Sequence, residues 1–241
     1  ELDLSAKKGK GQPVEIIPDA SGKYEVVYSD GPTKAQLKHV VNSKCGNCTS
    51  VYPAALMNIA EEAGEKTIDV GSVVLATGFE DFDPSGIPKW GYGLDNVITQ
   101  YQLARLLDPF GPTGGTVARP SDTKPPKKIV MVQCVGSREP DYQPYCSKYC
   151  CMAAIKHASV IKSQRDPSAE ITVLYRDIRA SGYGFESLYN DAKEMGVNFV
   201  HGDIDNVTPQ GEGLGITYTD GMGRTQQLDA DMLVLSTGMK P

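Results

Sequence analysis

The chain has 241 residues, of which 40% are hydrophobic and 22% are charged, and this composition is typical of an ordinary globular protein. It excludes the collagen-like, coiled-coil and intrinsically disordered classes. The net charge is −6, and no stripe of basic residues could follow a phosphate backbone, so we expect no nucleic-acid partner. The apolar runs are far shorter than the ~20 residues that a membrane-spanning helix needs, which predicts no direct membrane insertion. Because no signal-peptide pattern is present, we expect a cytoplasmic location.

The N-terminal part of the chain, residues 1–44, carries two short β-prone runs. Val14–Ile17 and Tyr24–Tyr28 are separated by a turn-rich stretch, which predicts a hairpin. Cys45 and Cys48 follow in a segment that is similar to half of a bacterial ferredoxin motif, with two of its four cysteines replaced. We expect a degenerate cluster site here; a site completed by ligands from elsewhere is the alternative.

A predicted helix over residues 54–63 leads into a predicted strand. In Lys66–Thr77 an alternating pattern gives way to continuous apolar residues, as in a strand buried on both faces. This strand would end in the small residues Ala76-Thr77-Gly78. Small residues at the carboxyl end of a parallel strand let a ligand approach the backbone, although a plain strand end has the same sequence.

Proline and glycine are frequent in residues 81–126, which contain one helical stretch, Gln100–Leu107. A connection of this length is usually functional or marks a boundary, which we place near Pro126. Strands and helices then alternate, which predicts a parallel, doubly wound α/β sheet. The predicted strands are Lys128–Cys134, Ile171–Tyr175, Val197–His201 and Asp231–Thr237, the predicted helices are Cys150–Gln164 and Glu186–Met195, and a hairpin joins Ile216–Tyr218 to Gln227–Asp229.

Four cysteines follow the first of these strands, in place of the glycine-rich phosphate turn that such folds usually have. Cys134, Cys146, Cys150 and Cys151 have the number of thiolates that an iron–sulfur cluster or a tetrahedral zinc ion needs. The adjacent pair must splay, which suits a larger cubane better than a single ion. Inert or redox-reactive thiols are a further alternative, and a disulfide is disfavoured because no secretion signal is present.

Cluster thiolates carry negative charge, so cations should lie nearby. Arg138, Lys148 and Lys156 are within sequence reach. Lys156 is either a solvated lysine on the helix surface or a cation directed at a redox centre. His39 and His157 have no partner motif, and we expect ordinary polar roles for them.

Several segments together resemble one protein family. They include VGSVVLATGFEDFDP, KKIVMVQCVGSRE, YCSKYCCMAAIKHA, LYRDIRASGYGFE and DMLVLSTGMKP, within a match from Cys45 to Pro241. These segments are similar to the A subunits of heterodisulfide reductase and their relatives, including flavin subunits of the quinone-interacting oxidoreductase complex. The resemblance implies an α/β, Rossmann-like three-layer domain of the thioredoxin-reductase-like FAD/NAD(P)-binding type, with a partial flavin-domain segment. It also implies an oxidoreductase with a 4Fe-4S cluster and, in the intact protein, FAD.

The resemblance assigns roles to particular residues. The 4Fe-4S ligands would be Cys134, Cys146, Cys150 and Cys151, and Lys156 would lie beside the flavin. The chain would leave and re-enter the FAD domain at two strand ends, formed by Ala76, Thr77 and Gly78 and by Ser236, Thr237 and Gly238. Four parts follow: a poorly matched segment (1–44), a ferredoxin remnant with the returning strand of the FAD domain (45–80), a Pro/Gly-rich connection (81–126) and the domain with the cysteine motif (127–241).

The glycine-rich dinucleotide turn of the family is missing before Cys45, so a pyrophosphate would have no helix N-terminus to rest on. We therefore expect a fragment, beginning at Glu1, that alone binds FAD weakly or not at all and is inactive. In the intact protein it would pass electrons between flavin and cluster, together with other subunits of a heterodisulfide-reductase-like or quinone-interacting complex. The alternatives are a non-catalytic subunit-docking module and a zinc-stabilised module.

Overall fold

The computed structural model describes residues 14–18, 24–28 and 70–240. Described residues up to Thr77 belong to one compact unit, and those from Gly78 onward belong to another. In the first unit, strands β1 (Val14–Pro18) and β2 (Tyr24–Tyr28) pair antiparallel, which confirms the predicted hairpin. Cys45, Cys48 and the predicted helix over 54–63 lie outside the described residues.

The prediction of a buried strand over Lys66–Thr77 is wrong for its described part. Residues 70–77 form neither a helix nor a strand, and Val74 and Leu75 are 87% and 67% exposed. A strand buried on both faces needs neighbouring strands that take its backbone hydrogen bonds. None of the described strands pairs with this stretch, so Ala76-Thr77-Gly78 is not a strand end.

The second unit contains a short strand pair and a seven-stranded sheet. The pair consists of β3 (Glu80–Asp81) and β11 (Met239–Lys240), which run antiparallel. The strands of the sheet are β4 (Val97–Thr99), β5 (Lys128–Val135), β6 (Glu170–Tyr175), β7 (Asn198–Gln210), β8 (Gly213–Asp220), β9 (Thr225–Ala230) and β10 (Met232–Thr237). Their order across the sheet is β4-β10-β5-β6-β7-β8-β9. The first five strands in this order are parallel, and β7, β8 and β9 form an antiparallel meander.

Three α-helices accompany the sheet: α1 (Gln100–Leu107), α2 (Cys150–Val160) and α3 (Phe185–Glu194). Each confirms a helix predicted from the sequence, and α2 continues into a π-helical turn, Ile161–Arg165. A capping box starts α1, because the Thr99 hydroxyl accepts the Gln102 N–H while the Gln102 side chain accepts the Thr99 N–H. No helix among the described residues is both long and apolar enough to cross a membrane.

Alternate residues of the central strands enter two different cores. Met131 and Val234 pack with helix residues such as Leu103 and Ile155. On the opposite face, residues of β5 and β10 pack with meander residues such as Ile216. The domain therefore has three layers of helices, sheet and meander, and the Rossmann-like fold class is confirmed. The alternating pattern predicted helices on both faces of the sheet. This prediction is wrong, because strands cover the second face.

The parallel strands place their carboxyl ends along one edge of the sheet, where α/β proteins of this kind bind ligands. Strand β4 and helix α1 come from the Pro/Gly-rich segment 81–126, and β4 pairs with β10 in the sheet. The domain limits at residues 44, 80 and 126 stay predictions.

Candidate metal centre

Cys134 lies on a β-bulge at the carboxyl end of β5. Val132 pairs with Leu235 but Val135 pairs with Thr237, so β5 has one residue more than β10 over this stretch. Cys134 has a φ of 60°, in the left-handed region that residues other than glycine rarely adopt. Val135 consequently packs in the same core as Val132, although strict alternation would place the two on opposite faces. Bulges of this kind occur next to functional sites because they redirect a side chain.

Cys150 and Cys151 open helix α2 and are buried. The Cys150 thiol donates to the carbonyl oxygen of Thr237, with Sγ 3.5 Å away, and the Cys151 thiol donates to that of Asp177 at 3.8 Å. Thr237 ends β10 and Asp177 follows β6, and these strands flank β5. The helix start therefore brings both thiols to the edge of the sheet that carries Cys134.

Cys146 is half-buried in the loop between β5 and α2. Its sulfur lies 3.3 Å from the backbone nitrogen of Lys148, which donates a hydrogen bond to it. The neighbouring Ser147 hydroxyl accepts the backbone N–H of Met239 at 2.8 Å and lies 3.1 Å from the Ser137 hydroxyl. These bonds fix the loop to the turn after β5 and to the chain after β10.

Three of the four thiols, those of Cys134, Cys150 and Cys151, have raised pKa values. Burial raises the pKa of Cys150 to about 12, and the neighbouring Cys134, Cys151 and Cys146 add to this rise. Burial also raises the pKa values of Cys134 and Cys151. Reactive cysteines have lowered pKa values, so these thiols are poor nucleophiles. A metal that binds them removes their protons outright, and this chemistry suits a buried group of four.

The donors in the described residues are not arranged around a single metal ion. Among the described residues, no group of three or more His, Cys, Asp or Glu side chains could hold one metal ion. A zinc ion requires every sulfur at about 2.3 Å from one point. A cubane distributes its cysteine ligands over separate iron atoms, so wider spacing suits it. As they are placed in the structure, the described thiols are not positioned around one zinc ion.

Arginines surround the cysteines. Burial dominates the raised pKa of Cys134, but a hydrogen bond from the Arg138 side chain opposes the rise. The backbone N–H of Arg179 likewise lowers the pKa of Cys151, against the effect of burial. Sequence reasoning named Arg138 but missed Arg176 and Arg179, which follow β6. These arginines could have been found from the pairing of β5 with β6, because neighbouring parallel strands end at the same edge of a sheet and the residues after them lie there together.

Comparison with known proteins gives the family. No protein-family model matches the chain. It is 39% identical over 204 residues to the iron-sulfur A subunit of the CoB–CoM heterodisulfide reductase of Methanocaldococcus jannaschii, covering 82% of this chain and 31% of that protein. It is 43% identical over 182 residues to the A subunit of the H2/formate:CoB-CoM heterodisulfide,ferredoxin reductase of Methanococcus maripaludis, covering 73% and 28%. With the A subunit of the H2:CoB-CoM heterodisulfide,ferredoxin reductase of Methanothermobacter marburgensis it shares 34% identity over 258 residues, covering 100% and 39%.

This chain belongs to the family of heterodisulfide reductase A subunits. It spans about a third of the length of the curated relatives that it matches. The resemblance of the chain to this family is thus confirmed.

In this member of the heterodisulfide reductase family, the two segments predicted to lie beside the flavin differ in burial. Ser236-Thr237-Gly238 is buried at the end of β10, where the Ser236 hydroxyl accepts a hydrogen bond from Gln133 at 3.0 Å. A Cβ on Gly238 would lie 2.2 Å from the Ser137 Oγ and 2.3 Å from the Gln143 Oε1. These residues therefore contact the cysteine segment directly. Ala76-Thr77-Gly78 is exposed, and the contacts of both segments with FAD stay predictions.

Lys156 is exposed on α2. At 3.6 residues per turn it lies about 140° around the helix from Cys151, so the two side chains leave different faces. Lys148 contacts Cys146 through its backbone, as described above. Among the three cations proposed from the sequence, Arg138 is the one whose side chain lowers the pKa of a thiol in the described residues.

We expect His157, on α2, to make the free energy of unfolding depend on pH. Burial lowers the pKa of His157 to about 4, and the charge of Lys156 contributes. The ring Nδ1 lies 3.1 Å from Oε1 of Gln100 on α1. An unfolded histidine titrates near 6.5, so between about pH 6.5 and 4 the unfolded chain binds a proton that the folded chain does not.

We therefore expect His157 to lower the free energy of unfolding by about 2 kcal/mol between about pH 7 and pH 5. The variant His157→Gln can still bond Gln100 but does not titrate, so it should lack this loss. Urea unfolding of both proteins at the two pH values measures the difference, with other titrating groups common to both. An equal pH dependence in the two proteins would contradict the prediction.

Proposed function

We propose that this chain is the electron-transfer part of a heterodisulfide-reductase-type oxidoreductase, and that Cys134, Cys146, Cys150 and Cys151 hold a 4Fe-4S cluster. The proposal depends above all on the position of the four cysteines at one edge of the parallel sheet, near the end of β5, at the start of α2 and in the loop between them. The M. jannaschii relative is named as an iron-sulfur polypeptide of its reductase, and this name supports the proposal. A bound cluster would accept and release single electrons.

The protein's own residues prepare this edge for negative charge. The start of α2, which carries Cys150 and Cys151, directs the positive end of the helix dipole at the site. Arg138 lowers the pKa of Cys134, which favours its thiolate. The bulge at Cys134 and the packing of Cys150 and Cys151 keep these three sulfurs out of water, and this lowers the effective dielectric constant around the site.

The wider role of the intact protein is part of the same proposal. FAD would exchange electrons with the cluster, with Lys156, Ala76-Thr77-Gly78 and Ser236-Thr237-Gly238 on the flavin side. The M. maripaludis and M. marburgensis relatives are named as subunits of heterodisulfide,ferredoxin reductases, so we infer that this chain works with partner subunits of such a complex. Quinone-interacting partners and a cytoplasmic location stay predictions.

Reconstitution with ferrous iron and sulfide under anaerobic conditions tests the proposal. We expect about four iron atoms and about four sulfide ions per chain, and a broad visible absorption that dithionite bleaches. Metal analysis of the same sample separates the alternatives. Bound zinc without iron would indicate a zinc-stabilised module, and a chain that takes up neither metal would indicate a subunit-docking module.

A further inference from the structure

Two arginines and one aspartate form a bridge between the ends of β5 and β6. A guanidinium nitrogen of Arg138 pairs with Oδ1 of Asp177, and Nε of Arg179 pairs with Oδ2 of the same carboxylate at 3.1 Å. Arg138 lies in the turn after β5, whereas Asp177 and Arg179 follow β6. We call Arg138, Asp177 and Arg179 the charge bridge.

The charge bridge contacts one proposed cluster ligand through Asp177, and its arginines act on the pKa values of two ligands. Arg138 lowers the pKa of Cys134, against the larger effect of burial. The Asp177 carbonyl oxygen accepts the Cys151 thiol, and the Arg179 backbone N–H donates to the same sulfur. Arg138 keeps a φ of 59°, a left-handed conformation that residues other than glycine retain only where the surroundings enforce it.

Arg176 donates to the Arg138 carbonyl oxygen at 3.4 Å and also lowers the pKa of Cys134, but its side chain forms ion pairs with other carboxylates. It pairs with Glu139 and, at 2.6 Å, with Asp203, and Lys89 lies 3.4 Å from Glu139. Burial opposes the charge of Glu139, yet the hydrogen bond and charge of Arg176 lower its pKa, so the pair stays ionised at neutral pH. Arg176 is thus compensated by its own carboxylates, whereas the charge bridge has two cations for one anion.

We propose, on the basis of the proposed function, that the charge bridge sets the reduction potential of the cluster through the charges that it places beside Cys134 and Cys151. Reduction adds an electron to a cluster that is already negative, so a nearby cation favours the reduced state and a nearby anion disfavours it. Solvent weakens both effects, because the Arg138 and Asp177 side chains are 28% and 45% exposed.

The sign of the change distinguishes this role from a structural one. Arg138→Gln should lower the potential and Asp177→Asn should raise it, each by about a tenfold change in the ratio of reduced to oxidised cluster, or about 59 mV for one electron. Arg165→Gln is the matched control, because it makes the same charge change about 20 Å away at the far end of α2. We expect it to leave the potential unchanged.

The measurement is a dithionite titration of the reconstituted 241-residue chain, followed by electron paramagnetic resonance, after iron has been quantified in each variant. Opposite shifts for Arg138→Gln and Asp177→Asn support the proposal. Equal potentials, or shifts of the same sign, overturn it while leaving the proposed function intact. If Arg138→Gln binds no iron, Arg179→Gln carries the same expected sign and replaces it. A wild-type chain without iron overturns the proposed function itself.

Discussion

Replacing Cys150 with serine is expected to abolish cluster binding. Cys150 is the thiol on which the other three act together, and it lies at the start of α2 against the end of β10. A serine hydroxyl is far less acidic than a thiol and is a poor ligand for iron, so the cluster loses one of its four anchors. Iron bound after anaerobic reconstitution should fall from about four atoms per chain to about zero, and the visible absorption should disappear.

Serine also suits this test because it should preserve the fold. It is close to cysteine in volume and can still donate to the Thr237 carbonyl oxygen. The urea midpoint of the iron-free protein should therefore be similar in the variant and the wild type. Cys48→Ser is the matched control, since we expect its segment to be a degenerate site, and iron binding should be unchanged. Full iron content in Cys150→Ser would show that Cys150 is not a ligand.

The sequence predicted those parts of the fold that depend on local pattern. Helix α1 has the predicted bounds, Gln100–Leu107, because its apolar spacing and its capping residues are both local signals. Strands β5, β6 and β10 were recognisable because strands buried on both faces are continuous apolar runs.

Elements that depend on distant partners were predicted less well. Strand β4 has only three residues and leads directly into α1, so it shows no period. Strand β7 continues to Gln210, beyond the predicted end at His201, because its second half pairs with β8 and carries polar residues on its open face. The apolar run in Lys66–Thr77 indicates that this segment could form a buried strand, but it does not indicate whether a neighbouring strand is available to pair with it.

In the candidate site, too, some features could be predicted from the local sequence and others depend on distant partners. Four cysteines are countable in the sequence, and the end of one strand and the start of the next helix are neighbours in any βα unit. The bulge that turns Cys134 results from the pairing of β5 with β10, about a hundred positions apart in the sequence. Arg179 and Asp177 reach Cys151 because β6 lies beside β5. Such contacts arise from strand order, which the sequence pattern leaves open.

Replacing Gly136 with alanine is expected to destabilise the domain by about 3 kcal/mol. Gly136 follows β5 with a φ of 75°, where an L side chain is strained. Its Cβ would also lie 2.3 Å from the Phe82 ring. Phe82 is buried, with its ring centroid 5.8 Å from that of Trp90 and 5.5 Å from that of Tyr142, so the ring has little freedom to move away.

Gly223→Ala separates the two causes of this destabilisation. Gly223 has a φ of 76°, but no atom lies within 4 Å of the position of its Cβ. This variant should show the backbone strain alone, about 1 kcal/mol, so the difference of about 2 kcal/mol between the variants measures the contact with Phe82. Urea unfolding with an unchanged dependence on denaturant gives both values. Equal losses in the two variants would show that Phe82 moves aside freely, and that the aromatic group beside the cysteine segment is not rigidly packed.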